Sequence, residues 1–364
     1  EKQRGDDSVL PDLFRRKPTR ENLKRFEDDL EKASYAKEAV QPKVQLALTR
    51  LGAGNKRAVV GRQGWLYYAP GVMSLAGPGF LDPQAQRVRL KAAADADEPA
   101  PHLDPRPAVL DLHRALHRRG IRLVLFPVPD KAALQPAQLH GRASDEVDAN
   151  LDYRRFVAEL REAGVLIFDP APARLSPGEP PRYLVQDTHW TPAWMEEVAG
   201  RLAHFVRGNV ALPAVAAPTF SAVEAKIERV GDIVDMLKLP EGQALFAPQA
   251  VAVHQVKVGD KEWEPSPQAD VLLLGDSFTN VFTLEQMGWG SSAGLAPQLS
   301  RALGRPLDVI AQNDSGAFAT RKLLSEALGA GEDRLAGKRV VIWELASREL
   351  AVGDWKPFAY EVKK

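Results

Sequence analysis

The spacing of apolar positions changes several times along the chain, and each change marks an element. Between Arg20 and Leu51, Leu23, Phe26, Leu30 and Ala33 recur at helical spacing, and Pro42 is expected to divide that helix. Val59-Val60 and Trp65 to Tyr68 are short apolar runs across Gly61-Arg62-Gln63-Gly64, the pattern of a hairpin. Asp104-Pro105 opens a helix that Gly120 closes. Ile121 to Phe126 then forms an unbroken apolar run, as in a buried strand. A helix over 145–163, a strand from Val165 to Phe168 and a helix opened by Thr191-Pro192 follow, the last carrying Met195, Val198, Leu202 and Phe205. Val251 to Val258, Val271 to Leu274, Leu307 to Ile310 and Val340 to Trp343 read as further strands, with Leu323 to Leu328 in the helix between the last two. Strands alternating with helices predict an α/β domain with a mostly parallel sheet and right-handed crossovers. Residues 214–270 carry the weakest pattern, with a turn and short helix at Gly231 to Leu237.

Composition narrows the function. The 364 residues suit one or two domains, and the organisation expected is an arm and helix over 1–55 and one catalytic domain over 56–364. Lysine plus arginine number 48 and aspartate plus glutamate 48, so the zero formal charge argues against a general nucleic-acid binder. With no cysteine, thiolate chemistry and disulfides are excluded. No apolar run reaches the ~20 residues that span a bilayer. The chain starts at Glu1, which leaves room for a removed export signal or membrane anchor.

Two stretches carry the chemistry. In VLLLGDSFTN, Val271 to Asn280, an apolar strand runs into Gly275-Asp276-Ser277. Ser277 therefore emerges at the carboxyl end of a strand, where open α/β sheets place their sites. By itself GDS reads as a helix cap. The second stretch, YLVQDTHW from Tyr183 to Trp190, changes that. Asp187 and His189 either share one face of an extended segment, or the carboxylate folds back onto the imidazole in a turn. A serine nucleophile needs a base, and the base needs an acceptor that fixes its tautomer. Ser277, His189 and Asp187 supply those three roles, with no metal or other cofactor required. Other signals are weaker. His113 and His117 have helical metal-ligand spacing, but Arg114, Arg118 and Arg119 oppose a cation, and Asp232 and Asp235 are two carboxylates without partners.

GDSFT and DTHW together resemble SGNH/GDSL hydrolase chemistry in reversed order, since the Asp–His pair precedes the serine. That order is similar to the alginate O-acetyltransferases of the AlgJ/AlgX type. GRQGWLYY from Gly61, PVPDK from Pro127 and VIWELASREL from Val341 extend the resemblance. It implies an SGNH-like three-layer sandwich with circularly permuted motif order. It further implies a periplasmic enzyme that moves acetyl through Ser277 to an exported polysaccharide, with the donor supplied by a membrane partner. The chain's end at Lys364, soon after Arg348, is read as leaving no room for a carbohydrate-binding module. The Ser277 N–H is the expected first oxyanion donor. Asn313, Asn280, Phe318 and Arg321 are candidates for completing or lining the site, and Lys131, Trp65 and Tyr67 for meeting the sugar. Two other readings stand beside this one: a polysaccharide acetylesterase with the same triad, and an inactive polysaccharide-binding scaffold.

Overall fold

The computed structural model describes residues 35–142, 144–172, 178–216 and 218–363. In chain order its strands are β1 (Ala58–Val60), β2 (Leu66–Tyr68), β3 (Arg122–Val128), β4 (Leu166–Ile167), β5 (Phe220–Arg229), β6 (Gln249–Val258), β7 (Lys261–Glu262), β8 (Val271–Gly275), β9 (Asp308–Ala311) and β10 (Val340–Ala346). Five of them make the central sheet, in the order β4-β3-β10-β8-β9, and every neighbouring pair is parallel.

Side-chain alternation divides this sheet between two cores. Val124, Phe126, Val271, Leu273, Val340 and Ile342 point into one, which packs against the helices Pro192–Asn209 and Leu295–Leu303. Leu123, Leu125, Leu272, Leu274, Val341 and Trp343 point into the other, packed on the helices Pro105–His117, Tyr153–Glu162 and Gly316–Gly329. With both faces covered, β8 and β10 are buried at every position. That is why their sequences read as continuous apolar runs rather than as alternation. Each such side chain contributes roughly 1.5–3 kcal/mol by leaving water. The result is helix–sheet–helix, the three layers expected.

Several sequence expectations shift. Pro42 lies inside the helix Tyr35–Arg50 and does not divide it. Leu23, Phe26, Leu30 and Ala33 fall outside the described residues. The helix expected from Asp145 begins at Tyr153. The β1–β2 hairpin forms with Val59 opposite Tyr67. The antiparallel pair β5–β6, ten residues on each side, lies in a separate small sheet. Most of β5 is exposed, so it carries no core-facing alternation to read.

Candidate active site

Ser277 follows β8, the strand beside β10 at the centre of the sheet. The turn before it is held by carboxylates. Asp276 accepts the Phe278 N–H and the Ala346 N–H, each at 2.8 Å, and so ties the turn to the end of β10. Glu344, on β10, accepts the Asp276 N–H at 3.0 Å and the Thr279 hydroxyl at 2.8 Å. Glu344 is fully buried and its second oxygen has no hydrogen-bond partner among the described residues; burial pushes its pKa well up, toward a neutral acid. Close approach also needs glycine here. A Cβ on Gly275 would lie 2.2 Å from the Thr279 hydroxyl oxygen, and one on Gly316 would lie 2.2 Å from the Asp276 Cβ.

The segment around His189 is a closed loop. Tyr183 bridges Trp190, and the Leu184 N–H donates to the His189 carbonyl at 3.1 Å. Within it the chain turns, so the second of the two expected arrangements is the one found. Asp187 Oδ1 accepts from the His189 backbone N–H at 3.0 Å and faces His189 Nδ1 at 2.7 Å. His189 Nε2 lies 2.8 Å from Ser277 Oγ. The ring of Phe278 lies 4.9 Å from the imidazole, centroid to centroid, and the short helix Ser277–Asn280 that carries it packs on the helix Leu295–Leu303.

Asp187 is held from beyond its own loop. Its Oδ2 accepts the Trp289 indole N–H at 2.9 Å and the Asp232 backbone N–H at 3.0 Å. Burial alone would raise its pKa. The His189 bond and charge, with the Asp232 and Trp289 donors, overturn that and hold the carboxylate well below the usual range. For His189, burial lowers the pKa, and the bond and charge of Asp187 raise it above 6.5 on balance. Asp187, His189 and Asp232 each offer a ligand atom within 4.8 Å of the others. Their hydrogen bonds to one another and to Trp289 and Thr188 already account for that cluster. Ser277 is 9% exposed, and among the described residues its backbone N–H has no protein acceptor. The arrangement can therefore pass a proton from Oγ to Nε2 and leave a free N–H beside the reacting carbon.

A family model described as the SGNH hydrolase-like domain of the acetyltransferase AlgX matches residues 58–347. The chain belongs to this family. Over 261 residues it is 26% identical to "Probable alginate O-acetylase AlgJ" of Pseudomonas aeruginosa, a match covering 68% of this chain and 63% of that protein, less than two thirds of its length. Against the protein of the same name from Azotobacter vinelandii it is 25% identical over 326 residues, covering 88% of this chain and 74% of the relative. Among solved structures, the O-acetyltransferase domain of Pseudomonas putida AlgJ superposes with a TM-score of 0.58 at 22% identity, covering 82% of this chain and 93% of that one. Pseudomonas aeruginosa AlgX gives 0.54 at 18% identity, covering 81% and 65%. These two structures establish that the AlgX-family fold is shared.

Within that fold the other expected site residues separate. Asn280 and Asn313 stay near the nucleophile turn: Asn280 Nδ2 donates to Asn313 Oδ1 at 2.7 Å, and Asn313 Nδ2 lies 3.2 Å from Met287 Sδ. Lys131 and Tyr67 line a small cavity with Thr188 and Arg348 beside the Asp187–His189 loop, while their polar atoms are already bonded within the protein. The Lys131 ammonium donates to the carbonyls of Leu66 (2.6 Å), Val185 (2.9 Å) and Asp187 (3.0 Å), beneath the rings of Trp65 and Tyr67. Burial pushes its pKa down to about 7, against the pull of Asp187 and Asp232. Arg321 is fully buried, donating to the Ala317 and Lys356 carbonyls among Trp343, Trp355 and Phe358, and Phe318 packs on Phe358. Both cations are buried: three carbonyls fill the donors of Lys131, and Arg321 is held by two carbonyls and three aromatic rings. Sequence reading missed Trp289 and set Asp232 aside. No local motif marks either one, since each meets Asp187 across a long separation. Glu344 and Arg348 lay inside the VIWELASREL match without an assigned role. Arg348 stacks over Tyr68 and Phe278, with its guanidinium 3.7 Å from Asp130.

Proposed function

We propose that this chain is an O-acetyltransferase that carries acetyl on Ser277 to hydroxyls of an exported, alginate-like polysaccharide. The observation that carries the reading is the Ser277–His189–Asp187 relay, at 2.8 and 2.7 Å, inside an acetyltransferase family. Ser277 Oγ attacks the donor's acetyl carbonyl while its proton moves to His189 Nε2. The Ser277 N–H stabilises the oxyanion, and an amide of the Asn280–Asn313 pair, once rotated off its partner, is the second donor. Nε2 returns the proton to the departing donor group, leaving acetyl-Ser277. A sugar hydroxyl then gives its proton to Nε2 and attacks the acetyl carbon; Ser277 leaves as alkoxide and recovers that proton. Asp187 keeps Nε2 facing the serine and stabilises the imidazolium formed in each half.

The names of the relatives support the alginate-like acceptor, and that class of polymer implies work outside the cytoplasm, in the periplasm. In this reading the activated acetyl group is supplied by a separate membrane partner. The test is mass spectrometry of oligosaccharides, mannuronate and neutral glucan, incubated with the enzyme and an acetyl ester. Acetylated sugar, with slower acetate release, supports the transferase. Unchanged acetate release with no acetylated sugar in the panel favours an esterase.

A further inference from the structure

The loop bearing Asp187 and His189 is clasped by the start of the helix Asp232–Leu237. Three hydrogen bonds meet there. The Asp232 N–H donates to Asp187 Oδ2 at 3.0 Å, and the Thr188 N–H donates back to Asp232 Oδ1 at 2.7 Å. The Ile233 N–H donates to the Gln186 carbonyl at 3.2 Å. The clasp closes because residue 231 is glycine: a Cβ there would sit 2.3 Å from the Gln186 carbonyl carbon and 2.6 Å from the Asp187 nitrogen. A backbone contact alone would need no particular residue at 232. The carboxylate is what distinguishes this position, since one of its oxygens lies within 4.8 Å of ligand atoms of both Asp187 and His189.

We propose that Asp232 is a positioning residue of the catalytic array: its N–H fixes the orientation of Asp187, and its carboxylate presents His189 with a second negative charge. The inference rests on the triad reading above and adds a fourth member to it. Four charged groups act together here. Asp187 and Asp232 both favour the imidazolium, Arg348 opposes it, and Lys131 stands on the far side of the Asp187 carbonyl. Burial and the neighbouring Asp187 charge push Asp232 up to about 6 while the His189 charge pulls it down, so each group senses the other's charge. The two then titrate as a linked pair.

The experiment follows the His189 ring by NMR titration in the intact Ser277→Ala protein, with and without Asp232→Asn. Asparagine keeps an acceptor for the Thr188 N–H and removes only the charge. The His189 midpoint should fall by about one pH unit, the order expected for one partly screened charge at this separation. In the Ser277-containing enzyme, the acid limb of kcat/KM for a small acetyl ester should move the same way, with kcat on the plateau lowered and KM held. An unmoved midpoint in folded Asp232→Asn overturns the proposal. Should that variant not fold, the wild-type curve decides: two steps support the linked pair, and a single one-proton step overturns it. Because the NMR arm reads no turnover, absence of acetyl transfer would sink the transferase reading while leaving this inference standing.

Discussion

Two buried ionisable groups share the loop at Asp187 and do different work. On one side Lys131 donates to the Asp187 carbonyl and two others, under Trp65 and Tyr67. On the other, His189 lies between the Asp187 carboxylate and Ser277, beside Phe278. Both combine a basic side chain with aromatic rings, and both resemble a sugar site when only residue types are considered. The difference is what remains unfilled. Every donor of Lys131 is used by a backbone carbonyl. The His189 chain ends instead on a hydroxyl whose own backbone N–H has no acceptor among the described residues. A buried charge that is fully partnered supports the fold; one that ends on an unfilled group can act on a ligand.

The contrast can be broken from the reactive end first. Ser277→Ala should lower acetyl-ester turnover by roughly 10⁴-fold or more while the far-UV circular dichroism and melting midpoint stay near wild type. Turnover retained in that folded protein would remove the assignment altogether. Asp187→Ala should cost roughly 10³–10⁴-fold, because His189 loses both its tautomer and its counter-charge. Trp289→Phe is subtler: it deletes one charged hydrogen bond, so kcat should fall roughly 10-fold with little change in KM. A fall in KM-dependent terms alone would place Trp289 at the substrate instead.

The pH profile sharpens the same side. The base must be neutral, and His189 is raised above 6.5, so the rate should fall as pH drops through a midpoint higher than 6.5. A midpoint at or below 6.5 in kcat/KM would contradict the dominance of Asp187. On the closed side, Lys131→Met leaves three buried carbonyls without their donor. It should lower stability by roughly 2–4 kcal/mol in chemical denaturation. KM for an oligosaccharide acceptor should stay within about twofold in the folded protein, since all three lysine donors are already used by carbonyls. A large selective rise in that KM would return Lys131 to the acceptor site.

These differences mark how far the sequence could be read. The central strands were legible because Ile121 to Phe126 and Val271 to Leu274 are covered on both faces, and burial leaves an unbroken apolar run. β5 was not, because most of its residues face solvent and its pairing with β6 is carried by backbone bonds. Ser277, Asp187 and His189 were legible as residue types in two short motifs. Trp289 and Asp232 were not, since a tryptophan or an aspartate acquires its role here only from what the fold brings against Asp187. The burial of Lys131 and Arg321 was not legible for the converse reason: exposure is a property of the folded chain, and both pack against aromatic rings distant in sequence.

The bonds gathered by Asp187 also bear on how the molecule becomes active. Its two oxygens collect donors from His189, from Asp232 and from Trp289, and the relay ends on Ser277, 88 residues beyond His189. Closing such distant stretches on one another carries an entropic cost, so the array exists only when all of them are docked together. Catalytic competence then reports on the completed chain rather than on any part of it. In a denaturant series, activity should vanish in the same transition as the central sheet, with no active intermediate. A nascent or partly folded copy would be silent toward acetyl esters.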